Sequence, residues 1–149
     1  MSVPQRYSLV TLGVADVTAA TAFYRRLGWR PSSASMDGDI TFISTPGGVL
    51  ALWRADLLAA DAGVDPRTDP GFRGIALAIN LASRDEVDAA IAAWKAAGGT
   101  VTHPAAAADW GGYSGYVADP DGHAWELAHN PFWPLDERGL PTLPGPEDE

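Results

Sequence analysis

Glu126 is the residue whose type and setting most suggest chemistry. It lies in Ala124-Trp125-Glu126-Leu127-Ala128-His129-Asn130, directly after the turn Asp119-Pro120-Asp121-Gly122. The segment alternates as a strand does. Ala124, Glu126, Ala128 and Asn130 share one face; Trp125, Leu127 and His129 share the other. A carboxylate at the centre of a small-residue face accepts a ligand's hydrogen bond, removes a ligand's proton, or ligates a metal. The last use needs partners. His123 and His129 stand at odd spacings from Glu126, so in a regular strand they face away from it. His103 precedes Pro104 at a strand end and reads as a surface residue. The chain has no cysteine, which excludes disulfides, thiolate catalysis and Cys-type zinc sites. No Ser-His-Asp constellation is visible, and no glycine-rich loop opens a helix to receive a phosphate.

Aromatic residues are the second group that could make a site. There are six tryptophans in 149 residues. Trp53 lies two residues from Ala51 and shares its face; Phe42 belongs to the neighbouring strand. Trp110 and Tyr113 sit in a glycine-rich segment read as flexible. Aromatics beside small residues suit stacking on a flat, mainly apolar ligand. The candidate ligand-binding set is therefore Phe42, Trp53, Trp110, Tyr113, Glu126 and Asn130, with Glu126 as the candidate catalytic group. Asn80 and Asn130 are open to structural roles as well. Trp94 and Trp125 read as core.

The elements that must position these residues follow from periodicity. Tyr7 to Val14 reads as a strand. Asp16 caps a helix whose apolar face is Val17, Ala20, Phe23, Tyr24 and Leu27, with Gly28 ending it. Trp29 to Ser35, Ile40 to Ser44 and Val49 to Trp53 read as strands, separated by turns at 36–39 and 45–48. A connector over 54–73 holds a short helix, Asp56 to Ala62, and a loop marked by Gly63, Pro66, Asp69, Pro70 and Gly71. The order then repeats. Gly74 to Leu81 is a strand, and Ser83 with Glu86 has capping-box spacing. Val87, Ala90, Ile91 and Trp94 form a helix face, and Gly98 ends it. Thr100 to His103 is a strand, an alanine loop follows, and Tyr116 to Ala118 and Ala124 to His129 close the chain's second half. Val17 and Gly28 are as far apart as Val87 and Gly98, and Gly47 precedes Ala51 as Gly122 precedes Glu126. Such self-similarity signals an internal duplication.

The expected fold class is α+β: two paired βαβββ modules forming a concave mixed sheet with helices outside. The chain reads as a single domain over 1–149, with modules over about 7–53 and 74–131 and a tail over 132–149. Five prolines between Pro131 and Pro146 keep that tail out of helices and central strands, with Phe132 and Trp133 pinning its start.

Hydrophobic residues make up 46% and charged residues 19%, enough apolar surface for a packed core. The formal net charge of -9 argues against nucleic acid and anionic membranes as partners. Part of it falls on Glu147-Asp148-Glu149, read as a solvated tail. Met1 to Arg6 lacks a signal-peptide pattern, and no apolar run reaches membrane-spanning length. The expected location is the cytoplasm.

These residues resemble the vicinal oxygen chelate superfamily, which includes glyoxalase I, extradiol dioxygenases, fosfomycin-resistance enzymes and bleomycin-resistance proteins. The resemblance rests on Leu12-Gly13-Val14-Ala15-Asp16-Val17, on Phe23-Tyr24-Arg25-Arg26-Leu27-Gly28-Trp29, on Asp119 to Glu126, and on the duplication. It covers about residues 7 to 131. It implies a homodimer with cavities at the module or subunit interface, and in the family's enzymes a divalent metal held by the first and last strands of each module. Those positions correspond here to Leu9, Ala51, Ala76 and Glu126. Only Glu126 can ligate, and a catalytic metal usually needs three protein ligands. The expectation is therefore a metal-free cavity of the bleomycin-resistance type, binding a small, aromatic organic molecule. The alternative is a metal-dependent lyase, isomerase or dioxygenase of the glyoxalase I kind.

Overall fold

A computed structural model describes residues 5–65 and 71–145. The acidic tail Glu147 to Glu149, the first four residues and the 66–70 part of the connector lie outside the described residues. The chain divides into two compact units, Met1–Arg73 with Pro120–Gly122, and Gly74–Asp119 with His123–Glu149. Each contains one mixed sheet, of three and four strands respectively, so the class is α+β.

The first unit runs β1 (Leu9–Val14), α1 (Val17–Arg26), β2 (Ile40–Thr45), β3 (Gly48–Arg54) and α2 (Ala55–Ala62). Asp16 is extended and outside the helix, and its Oδ1 accepts the Ala19 N–H at 2.9 Å. That bond satisfies one of the donors a helix start leaves unpaired. Gly28 takes φ +88° just past the last turn, a conformation that favours glycine. Between them Val17, Ala20, Phe23 and Tyr24 are buried. Strand order is β1-β3-β2, with β1 parallel and β2 antiparallel to β3. Leu12, Leu52 and Thr41 form one buried row across this sheet. The Thr21 hydroxyl of α1 meets the Thr41 hydroxyl at 2.7 Å and also donates to the Val17 carbonyl at 2.6 Å. The helix therefore covers the Thr41 face.

Trp29 to Ser35 does not form the expected strand. The segment does run against β2: the Ser32 N–H donates to the Phe42 carbonyl at 2.7 Å, and the Phe42 N–H donates to the Ser35 side-chain oxygen at 2.9 Å. Pro31 has no N–H to offer a ladder, and a serine hydroxyl replaces the backbone donor and acceptor further on. An isolated bridge, Met36 to Ile40, closes the turn at Gly38.

The second unit runs β4 (Ala76–Asn80), α3 (Arg84–Ala96), β5 (Thr100–Ala107), β6 (Tyr113–Ala118) and β7 (Ala124–His129), in the order β4-β7-β6-β5. Its first and last strands are parallel, as in the first unit. Ser83 accepts the Glu86 N–H at 3.1 Å; Glu86 reaches back to the Ala82 N–H at 2.8 Å, one residue earlier than in the reciprocal capping box. Trp94 of α3 lies 5.6 Å from the Trp125 ring, and its indole N–H donates to the Ala118 carbonyl at 2.8 Å. Leu127, Val117 and Val87 complete this buried layer.

Two further segments differ from what their composition suggests. The alanine loop is strand: β5 continues through Pro104 to Ala107, with register shifts on both sides of His103. Proline is tolerated because β5 is an edge strand, and bulges take up the broken ladder. Correspondingly β6 begins at Tyr113 rather than Tyr116. The segment read as flexible is a closed turn, with the Ala108 N–H donating to the Gly112 carbonyl at 2.8 Å and the Gly111 N–H to the Ala108 carbonyl at 3.0 Å. Beyond β7 the tail folds back through a bridge between Leu135 and Pro141. Asp136 organises it, its Oδ1 accepting the Arg138 and Leu140 N–H groups at 2.8 and 3.0 Å. Those bonds hold its carboxyl below the ordinary range. The Phe132 ring lies over Gly111.

The Trp94 anchor yields a test. A methyl at Gly99 would press into the Trp94 ring and stand 2.8 Å from the Ala118 carbonyl oxygen. Overpacking of this kind typically costs 1–3 kcal/mol. Gly99→Ala is therefore expected to lower stability by about 2 kcal/mol in urea unfolding; an unchanged midpoint would contradict the packing described.

Candidate functional site

The strand after the Asp119–Gly122 turn places Glu126 at the middle of the second sheet. The Asp119 carboxylate accepts the His123 N–H at 2.9 Å, and Gly122 takes φ +82°. Proline presets the turn between them. From that start the alternation of β7 is forced. Trp125 and Leu127 go under α3 and are buried, while Glu126 points to the face without the helix. Register then decides its neighbours. Ala78 of β4 lies directly across on one side and Tyr116 of β6 on the other.

The Tyr116 hydroxyl donates to Glu126 Oε2 at 3.2 Å. Burial, then the Glu126 charge and this bond, push the Tyr116 phenol above its ordinary value of 10.0. It is thus a proton-holding donor at neutral pH. Sequence reasoning did not single out Tyr116. The signal was available: an even-numbered position on a strand antiparallel to β7 shares a face with its cross-strand partner.

The other expected site residues separate. Tyr113 is on the opposite face of the second sheet. Its hydroxyl donates to Asp88 of α3 at 2.6 Å, and the Arg84 guanidinium lies 5.2 Å from its ring centre. The bond to Asp88 raises its phenol's pKa, with burial and the Asp88 charge adding to it. Trp110 stands in the β5–β6 turn with its ring on Gly112, about half exposed. Asn130 uses its side-chain oxygen to accept the Phe132 N–H at 2.9 Å, shaping the chain's exit from β7. Asn80 lies across from Ala128, on the Glu126 face. His129 bonds the Leu81 carbonyl at 3.0 Å from the helix-covered side. His103 is the Cα partner of Tyr116, between two register shifts of β5, and is exposed.

Phe42 and Trp53 belong to the first unit. Phe42 pairs with Ala51, and Trp53 with Gly13 and Ile40, so both share the Ala51 face opposite α1. That unit also has an open depression of about 320 Å³ lined by Trp29, Arg30, Ile43, Ser44, Thr45 and Pro46.

Register makes the duplicated positions exact. Ala51 pairs with Thr11 as Glu126 pairs with Ala78. Two residues earlier on the first strands stand Leu9 and Ala76. Three of the four positions thus end in hydrocarbon, and among the described residues no group of three His, Cys, Asp or Glu comes close enough to hold a metal ion. These side chains do not fit a divalent metal.

The chain matches the Glyoxalase/Bleomycin resistance protein/Dioxygenase superfamily over residues 6–127. Among solved structures, a glyoxalase-related enzyme from Fulvimarina pelagi is 40% identical, with a TM-score of 0.84 over 95% of this chain and 100% of that one. A glyoxalase/bleomycin resistance protein/dioxygenase from Nocardioides is 29% identical, with a TM-score of 0.71 over 86% of this chain and 85% of that one. Lactoylglutathione lyase from Agrobacterium tumefaciens is 26% identical, with a TM-score of 0.67 over 89% and 99%. Among curated proteins none matches the chain. The chain therefore belongs to the glyoxalase/bleomycin resistance protein/dioxygenase superfamily. No helix among its described residues is long and apolar enough to cross a membrane.

The Tyr116–Glu126 pair has a pH signature. A phenol whose folded pKa is raised stabilises the fold fully below its unfolded value and loses that contribution as pH rises through the folded value. The stability difference between wild type and Tyr116→Phe should be flat from pH 7 to about 9 and shrink above about pH 10. Urea unfolding at stepped pH checks it, and a difference that grows with pH contradicts the pairing.

Proposed function

We propose that this chain binds a small organic molecule without a metal, using the open face of the second sheet around Glu126. The observation that carries this is the replacement of the family's ligand positions by Leu9, Ala51 and Ala76, while Glu126 is engaged by Tyr116. A carboxylate held by a phenol within a floor of alanines is suited to hydrogen-bond a ligand, and its apolar surroundings favour an aromatic body. Phe42 and Trp53 offer a second aromatic surface on the first unit. The reading includes a cytoplasmic homodimer with no nucleic-acid or membrane partner, which the charge of -9 and the family resemblance support.

A second reading is favoured by the likeness to a glyoxalase-related enzyme and to a lactoylglutathione lyase. In it Glu126 acts as a general base in an isomerase- or lyase-type reaction. Its proton acceptance would be steered by Tyr116, which holds one carboxylate oxygen and leaves the other for substrate.

Tryptophan fluorescence titration with a panel of aromatic compounds separates the two. Binding is expected to be saturable and unaffected by excess EDTA. Native mass spectrometry should show dimer with no stoichiometric metal. Turnover abolished by Glu126→Gln, or a metal bound one to one, would replace the first reading by the second. No saturable quenching by any compound would remove the binder reading.

A further inference from the structure

Glu126 is the centre of a row that crosses the second sheet. Register pairs Ala78 with Glu126, Glu126 with Tyr116, and Tyr116 with His103. Directly opposed residues share a face, and neighbouring strands stand about 4.8 Å apart. Glu126 and Tyr116 therefore share one face, and the His103 backbone stands across from Tyr116 on β5, two strand spacings or roughly 10 Å from β7. Around them the same face carries methyl groups at Ala76, Ala78, Ala118, Ala124 and Ala128, with Asn80 and Ser114 on either side of Ala128. Nothing larger than alanine stands beside Glu126 on β4 or at the next same-face positions of β7.

The Tyr116–Glu126 bond leaves acceptor capacity on both residues. Tyr116 spends its proton on Glu126 Oε2 and keeps an oxygen lone pair. Among the described residues Tyr116 is the one hydrogen-bond donor to the Glu126 carboxylate, so Oε1 is open as an acceptor. His103 Nδ1 lies 3.0 Å from the Pro104 carbonyl oxygen, which can only accept, so Nδ1 carries a proton. Glu126 Oε1 and the Tyr116 oxygen thus offer lone pairs to a ligand. They lie in a chain with ten Lys and Arg against nineteen Asp and Glu.

Resting on the binding reading above, we propose that this face selects ligands that present N–H donors and positive charge on a flat apolar body, the class of aryl amidines and aryl amines. Glu126 is the specificity-determining group. Tyr116 is its positioning residue, holding Oε2 so that Oε1 faces the alanine floor. An anionic ligand of the same shape meets the Glu126 carboxylate, and the donors on this face, the Asn80 amide and the Ser114 hydroxyl, are neutral and stand in the next row.

The test uses benzamidine, benzamide and benzoate as matched probes, titrated calorimetrically into wild type, Glu126→Gln and Tyr116→Phe, with thermal melts confirming that each variant folds. Benzamidine is expected to bind at least about tenfold more tightly than benzamide, and benzoate most weakly, since a hydrogen bond to a charged group is worth about 1.5–3 kcal/mol. Glu126→Gln should erase that preference. Tyr116→Phe should weaken benzamidine about three- to tenfold and leave benzamide unchanged. A merely structural role for Tyr116 would weaken both probes alike. Ultraviolet titration adds a ligand-free readout: in Glu126→Gln the Tyr116 phenol should ionise closer to its ordinary value of 10.0. If benzoate binds as well as benzamidine, or the preference survives Glu126→Gln, the inference fails while the binding reading stands. If no probe binds, the inference fails too, and the wider aromatic panel decides the binding reading separately.

Discussion

A strand shows its side chains alternately to two sides, and in both sheets of this chain one side is covered by a helix. The rest of the structure depends on that asymmetry. In the first unit Leu12, Val14, Leu50 and Leu52 go to the covered side and are buried, with the Thr21–Thr41 hydroxyl pair joining α1 to the sheet. In the second, Trp125 and Leu127 go under α3 and meet Trp94. Burial of large side chains on one face is what drives each sheet to form. In the second unit the opposite face is then released from packing duty and can be small or polar; in the first, Ala55 and Leu58 of α2 pack against Gly13 on that face. Glu126, Tyr116 and the alanines around them occupy such a released face.

The two units solve the same packing problem with different edges. The shared part is a first strand parallel to the last and a middle strand antiparallel to it. The difference lies in the strand after the helix. In the second unit β5 is a full strand despite Pro104 because bulges accommodate it. In the first, the Ser32 N–H and the Ser35 hydroxyl hold the chain against Phe42 of β2 instead. Duplication thus preserves the paired strands that carry the candidate site and relaxes the edge. The same divergence applies to chemistry: Ala51 and Glu126 occupy matching register positions, yet only one bears a functional group.

Membership in a superfamily that spans lyases, dioxygenases and binders does not by itself assign an activity. Side chains at particular register positions do. Here the relevant contrast is between hydrocarbon at Leu9, Ala51 and Ala76 and the paired acid and phenol at Glu126 and Tyr116. That contrast moves attention from metal coordination to hydrogen bonding on a sheet face.

Local signals were enough for much of this. Caps at Asp16 and Ser83, glycines at 28, 98 and 122, and the two-residue alternation of β1, β3 and β7 act within a few residues of chain, so periodicity and turn chemistry reveal them. Glu126 as the lone acid of its face was legible for the same reason, and so was the duplication. What needed tertiary structure is everything set by partnership between distant segments. Tyr116 and His103 join Glu126 only through register and a bulge, and neither is visible in a single strand's pattern. Tyr113 left the expected site because Asp88, on a helix 25 residues earlier in the chain, takes its hydroxyl. Asn130 left it because the next turn claims its oxygen. Alternation within a strand sets which of its faces is apolar; the pairing of strands, an energy shared between residues far apart in the chain, decides which polar groups meet on the other.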